Sequence, residues 1–124
     1  MIWSNMLRHA DVGINVASTV SLELCMFDRP VINVAFNPPS IPRSELDYAR
    51  YYRFDHYRPV VASGAVELVH SASELAHAIE LALKEPAERS EQRHTLLADM
   101  FGEHLDGNAS TRVVASIRHL LGQP

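Results

Sequence analysis

Residues 12–36 read VGINVASTVSLELCMFDRPVINVAF, and this stretch decides the fold class. It contains two apolar runs, VGINVA and PVINVAF, whose Val and Ile content is typical of strands. Between them, Val20, Leu24 and Phe27 follow one another at helical spacing. The order strand, helix, strand predicts two parallel strands near residues 12–16 and 31–36, joined by a crossover helix from about Thr19 to Phe27.

The remaining chain continues the alternation of helices and strands. WSNMLRHA predicts a first helix, ELDYARYYRF another, AVELV a short strand, and AERSEQRHTLLADMFGEHL a further helix. SELAHAIELALK predicts a helix with Ser71 and Glu74 at capping-box spacing. Five apolar residues share one face of this helix: Leu75, Ala78, Ile79, Ala82 and Leu83. The last helix, STRVVASIRHLL, has an apolar side formed by Val113, Val114, Ile117, Leu120 and Leu121.

These elements predict the α/β class, with a Rossmann-like parallel sheet flanked by helices. We expect one partial domain over residues 1–124, with an α/β core at 1–105 and a C-terminal helix at 108–121. The net charge of -4 gives no reason to expect nucleic acid as a partner. No apolar run reaches the roughly 18 residues of a membrane span. The single cysteine, Cys25, rules out an internal disulfide, and we expect a cytoplasmic location.

A polar turn follows the first predicted strand. Ser18 or Thr19 stands where the strand ends and the helix begins, and ligands of parallel α/β proteins bind at this edge. The hydroxyl group can simply cap the helix, or the free N–H groups can bind an anion such as a diphosphate. Glu23 lies one turn further along the helix on the same side. It is either a solvated carboxylate near a helix start or an acceptor for a diol such as ribose.

The motif ASTVSLELCMFDRPVINVAF resembles the donor-nucleotide motif of GT-B glycosyltransferases and related nucleotide-sugar epimerases, in their C-terminal domain. The spacing from Glu23 to Pro30 matches that motif. HYRPVVASGAVELVHSASELAHAI and LDGNASTRVVASI resemble bacterial members of surface-polysaccharide type. The resemblance implies that Ser18, Thr19 and the Val20 amide bind the donor diphosphate and that Glu23 binds the ribose hydroxyls. It implies sugar transfer, or transfer of a similar activated group, from a nucleotide diphosphate to an acceptor, without a metal or other cofactor.

The chain also departs from the family pattern. Many members have glycines where this chain has Ala17, Ser18 and Thr19, and many have glycine in the place of Asp28, where aspartate tolerates a left-handed helix cap. The resemblance further implies a preceding acceptor domain that carries the catalytic base, for which 124 residues leave no room. We therefore expect an inactive chain that needs that domain or associates with itself. The alternative is a non-catalytic α/β interaction module, or a degenerate relative with no ligand.

The segment RSELDYARYYRFDHYRP holds all four tyrosines of the chain together with four arginines. Such a mixture is typical of a packed helix with solvated arginines, and it also suits contacts with phosphate or carbohydrate. A nucleic-acid contact is the third interpretation of the same residues. Within the resemblance, the segment faces the cleft, so Arg53, His56, Tyr57 and Arg58 are expected as cleft contacts. The spacing of the seven histidines fits no zinc motif, and no metal site is expected.

Overall fold

The computed structural model describes residues 2–122 of the chain. The helices are α1 (Ile2–His9), α2 (Val20–Met26), α3 (Arg58–Ala62), α4 (Ala72–Lys84), α5 (Ser90–Phe101) and α6 (Ala109–Leu120). The strands are β1 (Gly13–Asn15), β2 (Val31–Val34) and β3 (Glu67–Val69), and a 3₁₀ helix spans Tyr48–Arg53. Met1, Gln123 and Pro124, at the ends of the expected domain, lie outside the described residues.

The three strands form one parallel sheet in the order β1-β2-β3. Gly13 lies opposite Val31, and Ile32 lies opposite Glu67. The α/β class with a parallel, Rossmann-like sheet is therefore confirmed, as is the parallel pairing of the first two strands. Gly13 lets α2 approach β1 closely, because a Cβ at this position would clash with Leu24 Cδ1.

The sheet is covered on both faces, as parallel sheets usually are. Alternate residues of β2 point to opposite faces, so Val31 joins one core cluster and Ile32 the other. The larger cluster packs α2 and α5 against the sheet through Leu24, Cys25, Leu96 and Leu97, and it also contains Leu7, Ala35, Tyr52, Tyr57, Val60, Ala65 and Val66. The smaller cluster packs α4 against the other face through Ala78, with Leu75 and Ile79 partly buried beside it.

The end of α2 has the left-handed residue that the resemblance suggested. Asp28 has a φ of 53°, and the N–H of Arg29 donates to the carbonyl oxygen of Leu24 at 3.0 Å, as in a Schellman cap. The Asp28 carboxylate also accepts hydrogen bonds from Ser90 Oγ at 2.8 Å and Arg93 Nε at 2.7 Å. A glycine would serve the backbone turn equally well but would lose this link between α2 and α5.

Several predicted helices differ in extent from the observed ones. In ELDYARYYRF only a 3₁₀ helix forms, because Tyr52 points inward and its hydroxyl group is bound at the sheet edge. The predicted helix 87–105 begins at Ser90, after a turn through residues 85–89, and stops before Gly102, whose φ is 54°. On α4 the capping box of Ser71 and Glu74 is confirmed. Leu83, however, is 55% exposed, since it lies at the margin of the buried face.

The C-terminal helix α6 packs against little of the chain. None of its residues is buried, and the exposed fractions of Val113, Val114, Ile117 and Leu120 run from 47% to 83%. The apolar patch expected on this helix is therefore present on the surface. Across residues 2–122, none of the helices has the length and apolar character needed to cross a bilayer.

Candidate functional site

The turn between β1 and α2 is strained at Ala17. Ala17 has a φ of 38°, in the left-handed region that favours glycine. Its N–H donates to the Tyr52 hydroxyl oxygen at 3.2 Å, and that hydroxyl donates to the carbonyl oxygen of Val34 at 2.8 Å. One tyrosine therefore joins the carboxyl ends of β1 and β2. Its hydroxyl oxygen already accepts the hydrogen bond of an amide that a diphosphate at the turn would need.

The start of α2 is capped by the residue before its formal cap position. The Ser18 hydroxyl oxygen accepts from the Val20 N–H at 3.3 Å, whereas Thr19 makes no side-chain capping bond. The structure thus brings Ser18, Thr19 and Val20 together at the carboxyl edge of the sheet, where the sequence places them. Ser18 acts as a helix cap here, which was one of the two interpretations of this hydroxyl.

A buried polar network lies beneath this turn. Tyr57 donates its hydroxyl proton to Asn33 Oδ1 at 2.9 Å, and its oxygen lies 2.8 Å from Ser21 Oγ. The Asn33 amide donates to Ser21 Oγ and to Asn15 Oδ1, both at 3.1 Å. Ser21 and Asn33 are fully buried, and Asn15 Nδ2 is a buried donor without a partner among the described residues. The network fixes β1, α2, β2 and the start of α3 relative to one another.

The two buried tyrosines of this edge remain neutral. Tyr52 and Tyr57 pack edge to face, with ring centroids 5.7 Å apart. Burial raises the pKa of Tyr52 and of Tyr57 above the usual value of a phenol, although the hydrogen bond from Ser21 partly offsets this for Tyr57. Both hydroxyl groups therefore act as hydrogen-bonding groups rather than as bases. Tyr57, which was expected as a cleft contact, belongs instead to the buried network.

Glu23 accepts a hydrogen bond from a residue of the first helix. The indole N–H of Trp3 donates to Glu23 Oε2 at 2.6 Å, on the solvent side of α1 and α2. Glu23 is partly exposed and lies one turn after Thr19, as the sequence predicts. A carboxylate has about four acceptor positions, so a single indole contact leaves room for hydroxyl donors.

A cavity of about 540 Å³ opens at the carboxyl ends of β2 and β3. Its polar lining consists of Arg43, Asp47, Tyr52, Arg53 and His70, and its apolar lining consists of Ala35, Ala49, Val61 and Leu68. This size is typical of small-molecule pockets, and the position is where parallel sheets bind ligands. The lining has two arginines against one aspartate, so the cavity favours an anion.

The expected cleft contacts divide between the cavity and the surrounding surface. Arg53 lines the cavity, as predicted. Arg58 is exposed and pairs with Asp55 at 3.4 Å, and His56 is exposed with its ring centroid 5.8 Å from that of Phe54. Cys25 is buried, and burial raises the pKa of its thiol to about 11, so it is no nucleophile at neutral pH.

Another cavity, of about 250 Å³, lies at the opposite edge, between α4 and the amino ends of β2 and β3. Its lining includes Pro30, Val31, Glu67 and Arg89, and Arg89 is paired with Glu67 and with the carbonyl oxygen of Gly64. The charge of Arg89 is already neutralised by Glu67. This cavity also lies at the amino ends of the strands, whereas ligands of parallel sheets bind at the carboxyl ends. We therefore place the candidate site at the carboxyl edge.

Four polar residues of this edge were missed in the sequence: Asn15, Ser21, Asn33 and His70. The two asparagines interrupt apolar strands at matching positions, VGINVA and PVINVAF, and they face each other in the parallel register. A polar residue repeated within two buried strands is the signal that would have found them. His70 carries no such signal, because only the folded chain brings its loop to this edge. Arg43 belongs to the segment of arginines and tyrosines that the sequence singled out.

No protein-family model, curated protein or solved structure matches this chain.

Proposed function

We propose that the chain binds a nucleoside diphosphate or nucleotide-sugar at the carboxyl edge of its sheet, as the donor-binding part of a glycosyltransferase-like enzyme. The observation that carries this proposal is the 540 Å³ cavity lined by Arg43, Arg53 and His70. It lies beside the β1–α2 turn, since Tyr52 lines the cavity and also binds the Ala17 amide. Basic groups suit a diphosphate, and the resemblance assigns the ribose to Glu23.

Catalysis would require a second domain. Transfer requires an acceptor held in line with the donor and a base near its hydroxyl group. Tyr52, Tyr57 and Cys25 all have raised pKa values because of burial, so they do not supply that base near neutral pH. An acceptor domain, as the resemblance implies, would provide both groups.

Replacing Glu23 with alanine tests the nucleotide proposal. We expect binding of UDP, ADP or GDP to weaken by roughly 1–3 kcal/mol, because hydrogen bonds from the ribose to a carboxylate are lost. Thermal stability should barely change, since Glu23 makes a single side-chain contact near the surface. Calorimetric titration of the wild type and the variant measures the difference.

Two further variants serve as controls for Glu23. Glu91→Ala removes an exposed carboxylate from the first turn of α5 and should leave affinity unchanged. Trp3→Phe removes the indole N–H but keeps Glu23, so nucleotide affinity should be retained or improved. Equal affinity in the wild type and Glu23→Ala, or an unfolded Glu23→Ala protein, would assign Glu23 a different role.

The second candidate function, an interaction module, is favoured by α6. Its exposed apolar side is of the kind that drives association. We expect purified chain to self-associate in sedimentation velocity, and Val113→Glu with Ile117→Glu to shift it towards monomer. Thr111→Glu with Ala115→Glu, which adds the same two charges to exposed positions elsewhere on this helix, should change association less. A wild type that stays monomeric at high concentration would remove this candidate.

A further inference from the structure

We propose that Arg43 and Arg53 form a phosphate-binding pair whose anion position is held by Asp47 until a phosphate displaces it. The inference rests on the proposed function and names the side chains that receive the diphosphate. Arg43 Nη2 lies 3.5 Å from Asp47 Oδ1, and Arg53 Nη2 lies 3.8 Å from Asp47 Oδ2. Two guanidinium groups therefore converge on one carboxylate, and each of them faces a different oxygen of it.

These ion pairs are loose. Charge-assisted N–H···O bonds are normally about 2.7–2.9 Å long, so both contacts exceed bonding length. Asp47 Oδ1 is buried and has no hydrogen-bond partner within residues 2–122, although Arg43 lies close to it. The arginine side chains are 74% and 76% exposed, and exposed pairs of this kind contribute little stability. An anion with more charge can replace the carboxylate at a small cost in free energy.

Phosphate is the anion that suits this arrangement. A guanidinium group binds phosphate through two parallel N–H···O bonds, and a phosphate group carries more charge and more acceptor oxygens than a carboxylate. Tyr52 and His70 also line the cavity beside the pair. Its volume of about 540 Å³ accommodates a diphosphate together with part of a larger molecule.

The pair differs from the helix start as a phosphate site. At the start of α2, the Ala17 N–H is bound by the Tyr52 hydroxyl and the Val20 N–H by Ser18 Oγ. Binding a phosphate at those amides would first require both bonds to break. At the arginine pair, only the weak contacts with Asp47 are exchanged.

Calorimetric titration with inorganic pyrophosphate tests the pair, because this probe has neither ribose nor base. We expect Arg43→Gln with Arg53→Gln to weaken pyrophosphate binding at least about tenfold, since two charged donors are lost. Asp47→Asn should strengthen binding several-fold, because it removes the competing charge. A merely structural Asp47 would have the opposite effect. Arg8→Gln with Arg118→Gln, which removes two exposed arginines from the last turns of α1 and α6, is the matched control and should leave affinity unchanged.

The outcomes separate this inference from the proposed function. Circular dichroism establishes that each variant is folded. A double variant that binds pyrophosphate like the wild type, or a folded Asp47→Asn protein with weaker binding, overturns the arginine pair. If UDP, ADP and GDP bind the wild type no better than pyrophosphate while the variants behave as expected, the pair stands and the nucleotide proposal fails. If nucleotides bind and the double variant is unaffected, the pair fails and the nucleotide proposal stands.

Discussion

Asp28→Ala should lower the free energy of unfolding by about 3 kcal/mol, since it leaves a buried arginine without its counter-ion. The Arg93 side chain is only 2% exposed, whereas that of Asp28 is 40% exposed, so the unpaired charge would lie on the buried partner. Arg93 keeps its bond to the carbonyl oxygen of Pro86, at 2.8 Å, which cannot neutralise it. Alanine also tolerates the φ of 53° poorly. Urea unfolding followed by circular dichroism measures the loss.

Matched substitutions separate charge from backbone conformation. Asp28→Gly relieves the positive φ but still removes the carboxylate, so it should destabilise nearly as much as alanine. Asp99→Ala, on the exposed side of α5, should change the free energy of unfolding by less than about 0.5 kcal/mol. If Asp28→Gly were as stable as the wild type, the ion pair with Arg93 would have no role in stability.

The same ion pair predicts sensitivity to acid. Burial opposes ionisation of Asp28, but the hydrogen bonds from Ser90 and Arg93 outweigh it and lower its pKa below the ordinary 3.8. A lowered folded-state pKa stabilises the fold above about pH 4, and this contribution is lost as pH falls through the folded-state value. Wild-type stability should therefore fall more steeply below pH 4 than that of Asp28→Asn. Parallel pH profiles of the two proteins would contradict this.

Asn33→Leu should also destabilise the chain by about 3 kcal/mol. The side chain is fully buried, and its loss removes the acceptor of the Tyr57 hydroxyl and a donor to both Ser21 and Asn15. Each buried polar group left unpaired costs about 1–3 kcal/mol. Asn5→Leu, on the exposed surface of α1, is the control for the amide-to-leucine change and should have a small effect.

A double-mutant cycle locates the energy within the network. Tyr57→Phe alone should destabilise by about 1–3 kcal/mol, because Asn33 and Ser21 each lose a partner. Combined with Asn33→Leu, the total loss should be clearly smaller than the sum of the two, since the same bond is removed twice. Additive losses would mean that the two side chains act independently.

The sequence was sufficient to predict the parallel sheet. Residues 12–36 encode a strand, helix and strand by periodicity alone, and the first two observed strands lie within the predicted limits. The left-handed cap at Asp28 was suggested by the resemblance, because many members of the family have glycine at this position. Local patterns of this kind depend on residues within a few positions of one another.

Side chains that act across the fold could not be predicted in the same way. Arg93 sits at helical spacing with Leu96 and Leu97, on the buried side of α5, but its partner Asp28 is 65 positions away. Tyr52 is 35 positions away from Ala17, yet its hydroxyl oxygen accepts the hydrogen bond of the Ala17 amide. That amide, which was expected to be free at the turn, is therefore already paired. The anionic ligand and the ribose contact of Glu23 remain predictions.

Titration of the ¹⁵N-labelled chain with UDP, ADP and GDP shows where a nucleotide binds, because each amide resonance reports on its own position in the fold. We expect shifts confined to the carboxyl edge: residues 17–23 of the turn and the start of α2, the segment from Arg43 to Arg53, and His70. Resonances of α6 should not move. An absence of shifts at millimolar nucleotide, or shifts centred on the opposite cavity near Arg89, would rule out a nucleotide site at the carboxyl edge.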